Sequence, residues 1–283
     1  MPELPELEIV REVLKRRLAG RIIARVTVDP KGGPLVVRDL AGRGFAASLA
    51  GEHLEAFERR GKYLLFHLAP SHLWLVANPK LTGRFQLCAP GEKKAGPVHA
   101  TLHFENPAEE LRYVDQKKMG QLYLTPDLER VPLFAEMGPE ALAVSQDEFA
   151  ARLKSFRGEI KGLLVRADFL AGIGNAYADE ILWAARLHPY RRRTSLTPDE
   201  VRALYDAMGD VLRTSIEKVR QGMGEHVHLK PRDFFAVHMR GGQACPRCGT
   251  TISAVTANQR ITNFCRTCQP GGLIRGMGTS GSP

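Results

Sequence analysis

Four cysteines constrain this chain more tightly than any other feature. They stand as Cys245-x2-Cys248 and Cys265-x2-Cys268, with sixteen residues between the pairs. Each pair can place two thiolates on one side of a metal ion, and two such knuckles complete a tetrahedron. Disulfides or a redox pair would use the same residues. A redox CxxC needs no second CxxC at this distance, and disulfides are rare in a cytoplasmic chain. The spacing therefore predicts one structural zinc ion. With cysteine at all four positions the metal has no open coordination site and no catalytic role. The residues between the knuckles are β-branched on both sides of Ala257-Asn258, which predicts a hairpin presenting its tip. The fifth cysteine, Cys88, lies in a strand-like stretch and reads as a small buried hydrophobe.

The zinc segment is a small part of a chain of 283 residues, a length that suggests about two domains. No run approaches the roughly 18 apolar residues of a membrane span. The opening MPELPELEIVREV lacks the basic and then apolar regions of a secretory signal. The expected setting is the cytoplasm. Leu7, Val10, Leu14 and Leu18, with Ile9 and Val13, share one helical face over residues 5–18. Short apolar runs separated by Gly, Pro and charged turns fill residues 20–125 and predict a β-sandwich or barrel. Pro126, Pro132 and Pro139 mark a linker with short helical pieces. Residues 146–220 are helical in pattern. There Thr197, Pro198 and Glu200 form a helix start with a capping box, and Pro189 closes the preceding helix DEILWAARLH.

Charge is unevenly spread. Residues 1–150 carry 20 basic and 20 acidic side chains, whereas residues 151–283 carry 20 basic against 11 acidic and hold the whole surplus of +9. No acidic residue follows Asp233, while Arg240, Arg247, Arg260, Arg266 and Arg275 do. The asymmetry fits a polyanion such as nucleic acid, and it fits a solubilising basic surface equally well. Gly172-Ile173-Gly174-Asn175 lacks the third glycine and the leading strand of a dinucleotide site. It suits a tight turn into a helix whose free N–H groups hold a phosphate, or simply a turn between packed helices.

Three blocks stand together in order: Pro2-Glu3 before a helix, GIGNAYADEIL followed by HP, and a four-cysteine hairpin carrying NQR. With MPELPE, ERRGKYLLF, LRYVD and HPYRRR in place, the chain closely resembles the formamidopyrimidine-DNA glycosylase and endonuclease VIII family of base-excision repair enzymes. The resemblance covers nearly the whole chain. It implies an α+β fold: an N-terminal β-sandwich with flanking helices, then a helical helix–two-turn–helix domain with a zinc-ribbon-type β-hairpin. The expected division is a catalytic β-sandwich domain at 1–130, a linker at 131–145, the helix–two-turn–helix domain at 146–240, the zinc hairpin at 241–270 and a disordered tail at 271–283. The two domains are expected to flank a DNA-binding cleft. The expected partner is double-stranded DNA containing damaged bases, bound by a monomer without membrane or nucleotide cofactor.

The resemblance also implies a mechanism. Removal of Met1 would expose the secondary amine of Pro2. An α-amine has a pKa near roughly 8, so part of it is neutral at pH 7, and a helix N-terminus depresses it further. That amine would attack C1′ of the damaged nucleotide to form an iminium. Glu3 would act as general acid. On their own, Pro2 and Glu3 would read as a helix start. Lys62 would contact phosphate and assist elimination, although an edge-strand lysine facing water is common. Arg260 would grip phosphate beside the lesion. Lys161 and Asn175 match the phosphate-binding positions of the family's helix–two-turn–helix, and Arg157 stands where the family usually has a basic residue that would also meet DNA.

The flipped base leaves a hole in the duplex. The family fills it with Met, Arg and Phe, and here Leu81, Lys117 and Met119 stand in those places. Lysine lacks the planar fork of arginine, and methionine can wedge without stacking. His226 and His228 lie where the family covers oxidised guanine. They could touch the lesion or be surface or packed histidines. Excision of oxidised purines is one reading, the same chemistry on oxidised pyrimidines, abasic sites or bulky adducts a second, and a non-catalytic zinc protein that binds damaged DNA a third.

Overall fold

The computed structural model describes residues 1–257 and 260–271. The predicted tail and the hairpin tip at Asn258-Gln259 lie outside the described residues. The chain forms two compact units, residues 1–140 with 213–233, and residues 141–212 with 234–283.

In the first unit, α1 (Leu4–Leu18) buries Leu7, Val10, Leu14 and Leu18 together with Leu4, Ile9 and Val13, the predicted face. Two sheets follow. One has the order β1 (Ile23–Val28), β7 (Val98–Phe104), β8 (Glu109–Val114) and β6 (Arg84–Cys88). The other has the order β2 (Val37–Asp39), β9 (Gln121–Thr125), β5 (Trp74–Asn78), β4 (Tyr63–Ala69) and β3 (His53–Arg60). All pairings are antiparallel except β2 with β9. Two short helices, α2 (Gly33–Val36) and α3 (Phe45–Leu49), join the early strands.

The sandwich core is tied by edge-to-face aromatic contacts. Phe57 meets Phe66 at 5.3 Å, Phe66 meets Phe85 at 5.7 Å across the sheets, and Phe85 meets Tyr113 at 5.3 Å. The outer face of the five-stranded sheet buries Tyr63, Leu65, Val76 and Tyr123 under Val131 and Phe134. The segment 126–140 thus covers a sheet. Cys88 is buried, and burial pushes its thiol up to about 11.

The second unit contains α4 (Gln146–Ser155), α5 (Ile160–Leu164), α6 (Asn175–Ala184) and a hairpin of β10 (Ser253–Ala257) and β11 (Arg260–Phe264). The predicted helix DEILWAARLH starts earlier and stops short of Pro189. Helix α6 ends at Ala184, and Arg186 turns the chain with φ 58°. Helix α7 (Pro198–Met223) begins in this unit, and its last turns belong to the first. Its capping box forms as predicted: Thr197 Oγ1 accepts the Glu200 N–H at 3.2 Å and Glu200 accepts the Thr197 N–H at 2.9 Å. Its last turns and the segment after it lie on α1 through Arg220–Glu12 at 2.8 Å and the pairing of Glu225 with Arg16 and Arg17.

Phe66 contacts both sheets, so Phe66→Ala should cost about 3–5 kcal/mol. Chemical denaturation should show that loss in the transition of the first unit.

Candidate active site and nucleic-acid interface

The chain start is built into α1. Pro2 and Glu3 are buried, and Glu3 is the N-cap residue. Glu6 closes a capping box, its Oε2 accepting the Glu3 N–H at 2.9 Å. The other carboxylate oxygen of Glu6 accepts from Arg232 Nη2 at 3.0 Å and Nε at 3.2 Å. Arg232 Nη2 also donates to the Met1 carbonyl at 2.6 Å. Glu6 is 1% exposed, and burial pushes its carboxyl up while Arg232 pulls it back. Burial first, then Lys230 and Arg232, bring the Met1 amine down to about 6; Glu3 and Glu6 oppose them. A small pocket beside the chain start is lined by Pro2, Glu6, Leu7, Pro79, Arg84 and Lys230. Burial and the neighbouring Arg232 and Arg84 bring the Lys230 ammonium down to about 8.

Lys62 is half-buried in the turn between β3 and β4. That turn is braced by Arg59, which pairs with Glu8 of α1 at 2.7 Å and Glu140 at 2.6 Å, and by Arg60, which donates to the Gly138 carbonyl at 2.7 Å.

Leu81 and Met119 are 40% and 43% exposed, and Lys117 is exposed. Their loops are joined beneath them. The buried Asp115 carboxylate accepts the Thr82 hydroxyl, the Lys117 N–H at 3.1 Å and the Gly120 N–H at 2.7 Å. Thr82 Oγ1 accepts the Lys117 N–H at 3.0 Å. Gly83 and Gly120 both press on the Tyr113 hydroxyl, which a Cβ would meet at 2.1 and 2.0 Å. Glycine is required there by space. His226 is exposed. His228 is half-buried, and burial followed by Arg84 pulls its imidazole down.

In the second unit Asp179, 1% exposed, is the hub. It pairs with Lys161 at 2.6 Å and His238 Nδ1 at 2.8 Å, and accepts the Asn263 N–H at 3.2 Å. Lys161 also donates to Thr262 Oγ1 at 2.8 Å and the Ile261 carbonyl at 3.1 Å, and Asn175 Nδ2 donates to the same carbonyl at 2.8 Å. Both residues therefore brace β11 next to Arg260, which is itself exposed, as is Arg157. Next to this hub Glu180 accepts the N–H groups of Ala236, Val237 and His238.

The Sγ atoms of Cys245, Cys248, Cys265 and Cys268 lie within 4.8 Å of one another. Tetrahedral Zn–S bonds of about 2.3 Å place sulfurs about 3.8 Å apart, and the Cys245–Cys268 and Cys248–Cys265 separations are 3.8 and 3.4 Å. The donor set fits one structural zinc ion. Trp183 Nε1 donates to Cys245 Sγ at 3.4 Å, supporting the ligand from outside. Gln269 accepts the Cys265 N–H at 2.9 Å and donates to the Leu187 carbonyl at 2.9 Å, pinning the second knuckle to the residues after α6.

The sequence reading missed Glu6, Arg232, Lys230 and Asp179. Glu6 had a signal, three residues after the N-cap Glu3. Arg232 lies 226 residues from Glu6, and no local pattern connects them.

The formamidopyrimidine-DNA glycosylase N-terminal domain matches residues 1–122, its H2TH domain residues 137–226, and the zinc finger found in FPG and IleRS residues 242–271. A formamidopyrimidine-DNA glycosylase of Symbiobacterium thermophilum is 39% identical over 95% of this chain and 90% of its own. One of Herpetosiphon aurantiacus is 35% identical over 95% and 100%. Lactococcus lactis Fpg, solved in complex with DNA containing an abasic site, superposes with a TM-score of 0.83 at 27% identity, covering 95% of this chain and 100% of that one. The chain belongs to the formamidopyrimidine-DNA glycosylase family.

Lys161→Ala would take the countercharge from the buried Asp179 carboxylate and leave it to His238 and Asn263, and breaking such a buried pair costs about 3–5 kcal/mol. Thermal denaturation should show the loss, and the double variant with Asp179→Asn should recover part of it.

Proposed function

We propose that this chain is a bifunctional DNA glycosylase and abasic-site lyase of base-excision repair that removes oxidised purines, formamidopyrimidines and 8-oxoguanine, from duplex DNA. The observation that carries the reading is the chain start: a buried Pro2-Glu3 at a helix N-cap, beside a pocket, in surroundings that disfavour protonation of the adjoining Met1 amine. Methionine trimming frees the Pro2 nitrogen. Its lone pair forms a bond to C1′ as the glycosidic bond breaks, and Glu3 supplies the proton that accompanies departure of the base. The C1′–O4′ ring bond then opens, O4′ taking up a proton as the proline nitrogen gives up its N–H proton, and the iminium so formed acidifies the C2′ hydrogen. Loss of that proton expels the 3′ phosphate, a second elimination expels the 5′ phosphate, and water releases the sugar fragment from proline.

Lys62 contacts phosphate and assists elimination. Arg260, Arg157, Lys161 and Asn175 serve phosphate binding, Lys161 and Asn175 by fixing the strand that carries Arg260. Leu81, Lys117 and Met119 occupy the space of the flipped base. The division of labour follows the domains: chemistry in the β-sandwich at 1–130, DNA binding at 146–240 and in the zinc hairpin at 241–270. The protein works as a monomer in the bacterial cytosol or nucleoid, and among the described residues no helix is long and apolar enough to cross a membrane. The aliphatic tips at Leu81 and Met119 and the lysine at 117 favour a second reading, the same chemistry with a changed lesion range.

Borohydride trapping on duplexes carrying 8-oxoguanine, formamidopyrimidine, dihydrouracil or an abasic site should give a covalent complex on the oxidised purines. Pro2→Gly and Glu3→Gln should weaken or lose it. Trapping confined to pyrimidine or abasic DNA would establish the second reading, and no trapping by a chain whose N-terminus is Pro2 by mass would overturn both. Binding should fall linearly with log salt concentration. Complete zinc removal should abolish lesion-DNA binding while the unfolding transition of the first unit persists; binding that survives removal sinks this role for the hairpin.

A further inference from the structure

The segment after α7 returns to the first unit and sets two cations beside the chain start. Lys230 lines the pocket with Pro2 and Glu6. Arg232 is held more firmly, with two hydrogen bonds to Glu6 Oε1 and one of 2.6 Å to the carbonyl of residue 1. The oxygen and nitrogen of a peptide unit are linked through bonds of about 1.2 and 1.3 Å. Arg232 Nη2, 2.6 Å from that oxygen, therefore lies at most about 5 Å from the Pro2 nitrogen. Cleavage of the Met1–Pro2 bond removes the carbonyl and leaves the guanidinium facing the new amine.

We propose that Arg232, clamped by Glu6, is a positioning residue for the N-terminal nucleophile, orienting the amine at Pro2 and keeping it in its neutral, reactive form. The inference rests on the reading of Pro2 as nucleophile. The charged groups that act on the Met1 amine, one residue before the Pro2 nitrogen, bear on that site with both signs. Glu3 and Glu6 of α1 favour protonation of that amine, and Lys230 and Arg232 oppose it. Glu6 serves as the anchor. One of its oxygens is occupied by the Glu3 N–H, so the other fixes the guanidinium. A planar fork held at two nitrogens is a fixed charge, which a lysine could replace in sign but not in geometry.

The test reads the amine directly and then its chemistry. Protein labelled with 13C-proline gives a pH titration of the Pro2 resonances in the DNA-free enzyme, and single-turnover borohydride trapping on an abasic-site duplex gives the rate against pH. Arg232→Gln keeps a hydrogen-bonding group on Glu6 and removes the charge. Its titration midpoint should rise by about one unit, and its trapping rate, slowed at every pH by the lost fork, should fall up to about tenfold further at pH 6 than at pH 9. Arg232→Lys should titrate as wild type and trap more slowly at every pH. An unmoved midpoint in Arg232→Gln, or a rate lost equally at pH 6 and pH 9, overturns the proposal. If Arg232→Gln fails to fold by circular dichroism, Arg232→Lys carries the test alone, and a shifted midpoint or an unslowed rate in it overturns the proposal. Failure of wild type itself to trap would instead count against the assignment of Pro2 as nucleophile.

Discussion

A carboxylate taken out of water has to be repaid with partners, and each functional part of this protein is organised around one that has been. An unpaired buried charge costs several kcal/mol, whereas a well-bonded one fixes its neighbours in direction as well as distance. Glu6 joins the helix cap at Glu3 to Arg232. Asp115 draws Thr82, Lys117 and Gly120 onto one side chain. Asp179 gathers Lys161, His238 and Asn263. In each case the carboxylate lies inward and an exposed or pocket-lining group lies just beyond it. The buried group supplies rigidity, and the outer group is left at the surface or the pocket.

Legibility in the sequence follows the range of the interaction. The apolar face of α1, the capping box at Thr197 and the four cysteines are local patterns, and all three appear in the fold where their spacing puts them. The end of α6 was misjudged because Pro189 is a visible stop, whereas the backbone turn at Arg186 is set by packing and leaves no mark in composition. The pairings of Glu6 with Arg232 and Lys161 with Asp179 join residues that meet only after folding. The family resemblance located Lys161 and Asn175 as a pair, but their shared bond to the Ile261 carbonyl needed coordinates.

The departures at Leu81, Lys117 and Met119 take on a different meaning beside this bracing. Everything beneath the tips is polar and specific: Thr82, Asp115 and two glycines that no larger residue could replace against Tyr113. The tips themselves make none of those bonds through their side chains. Changing them alters what is presented to a nucleic acid while the loops keep their course. A loop pair built this way can vary its exposed tips without loss of fold.

Arg260 shows why the hairpin is held twice. The cysteine cluster closes its base, and metal binding there stabilises the fold of the hairpin as a unit. Zinc alone says nothing of how the strand lies on its helices. That is fixed one residue from Arg260, where Lys161 and Asn175 both bond the Ile261 carbonyl and Asp179 holds the Lys161 ammonium. The backbone at the start of β11 is thereby set before DNA arrives, and only the arginine side chain has rotamers left to lose. In the role proposed for Arg260, binding a phosphate would cost the ordering of one side chain, roughly 0.5–1.5 kcal/mol, instead of the ordering of a whole strand. With either clamp missing, the charge of Arg260 would be unchanged and its position would not, so its contribution depends on the buried network as much as on the arginine itself.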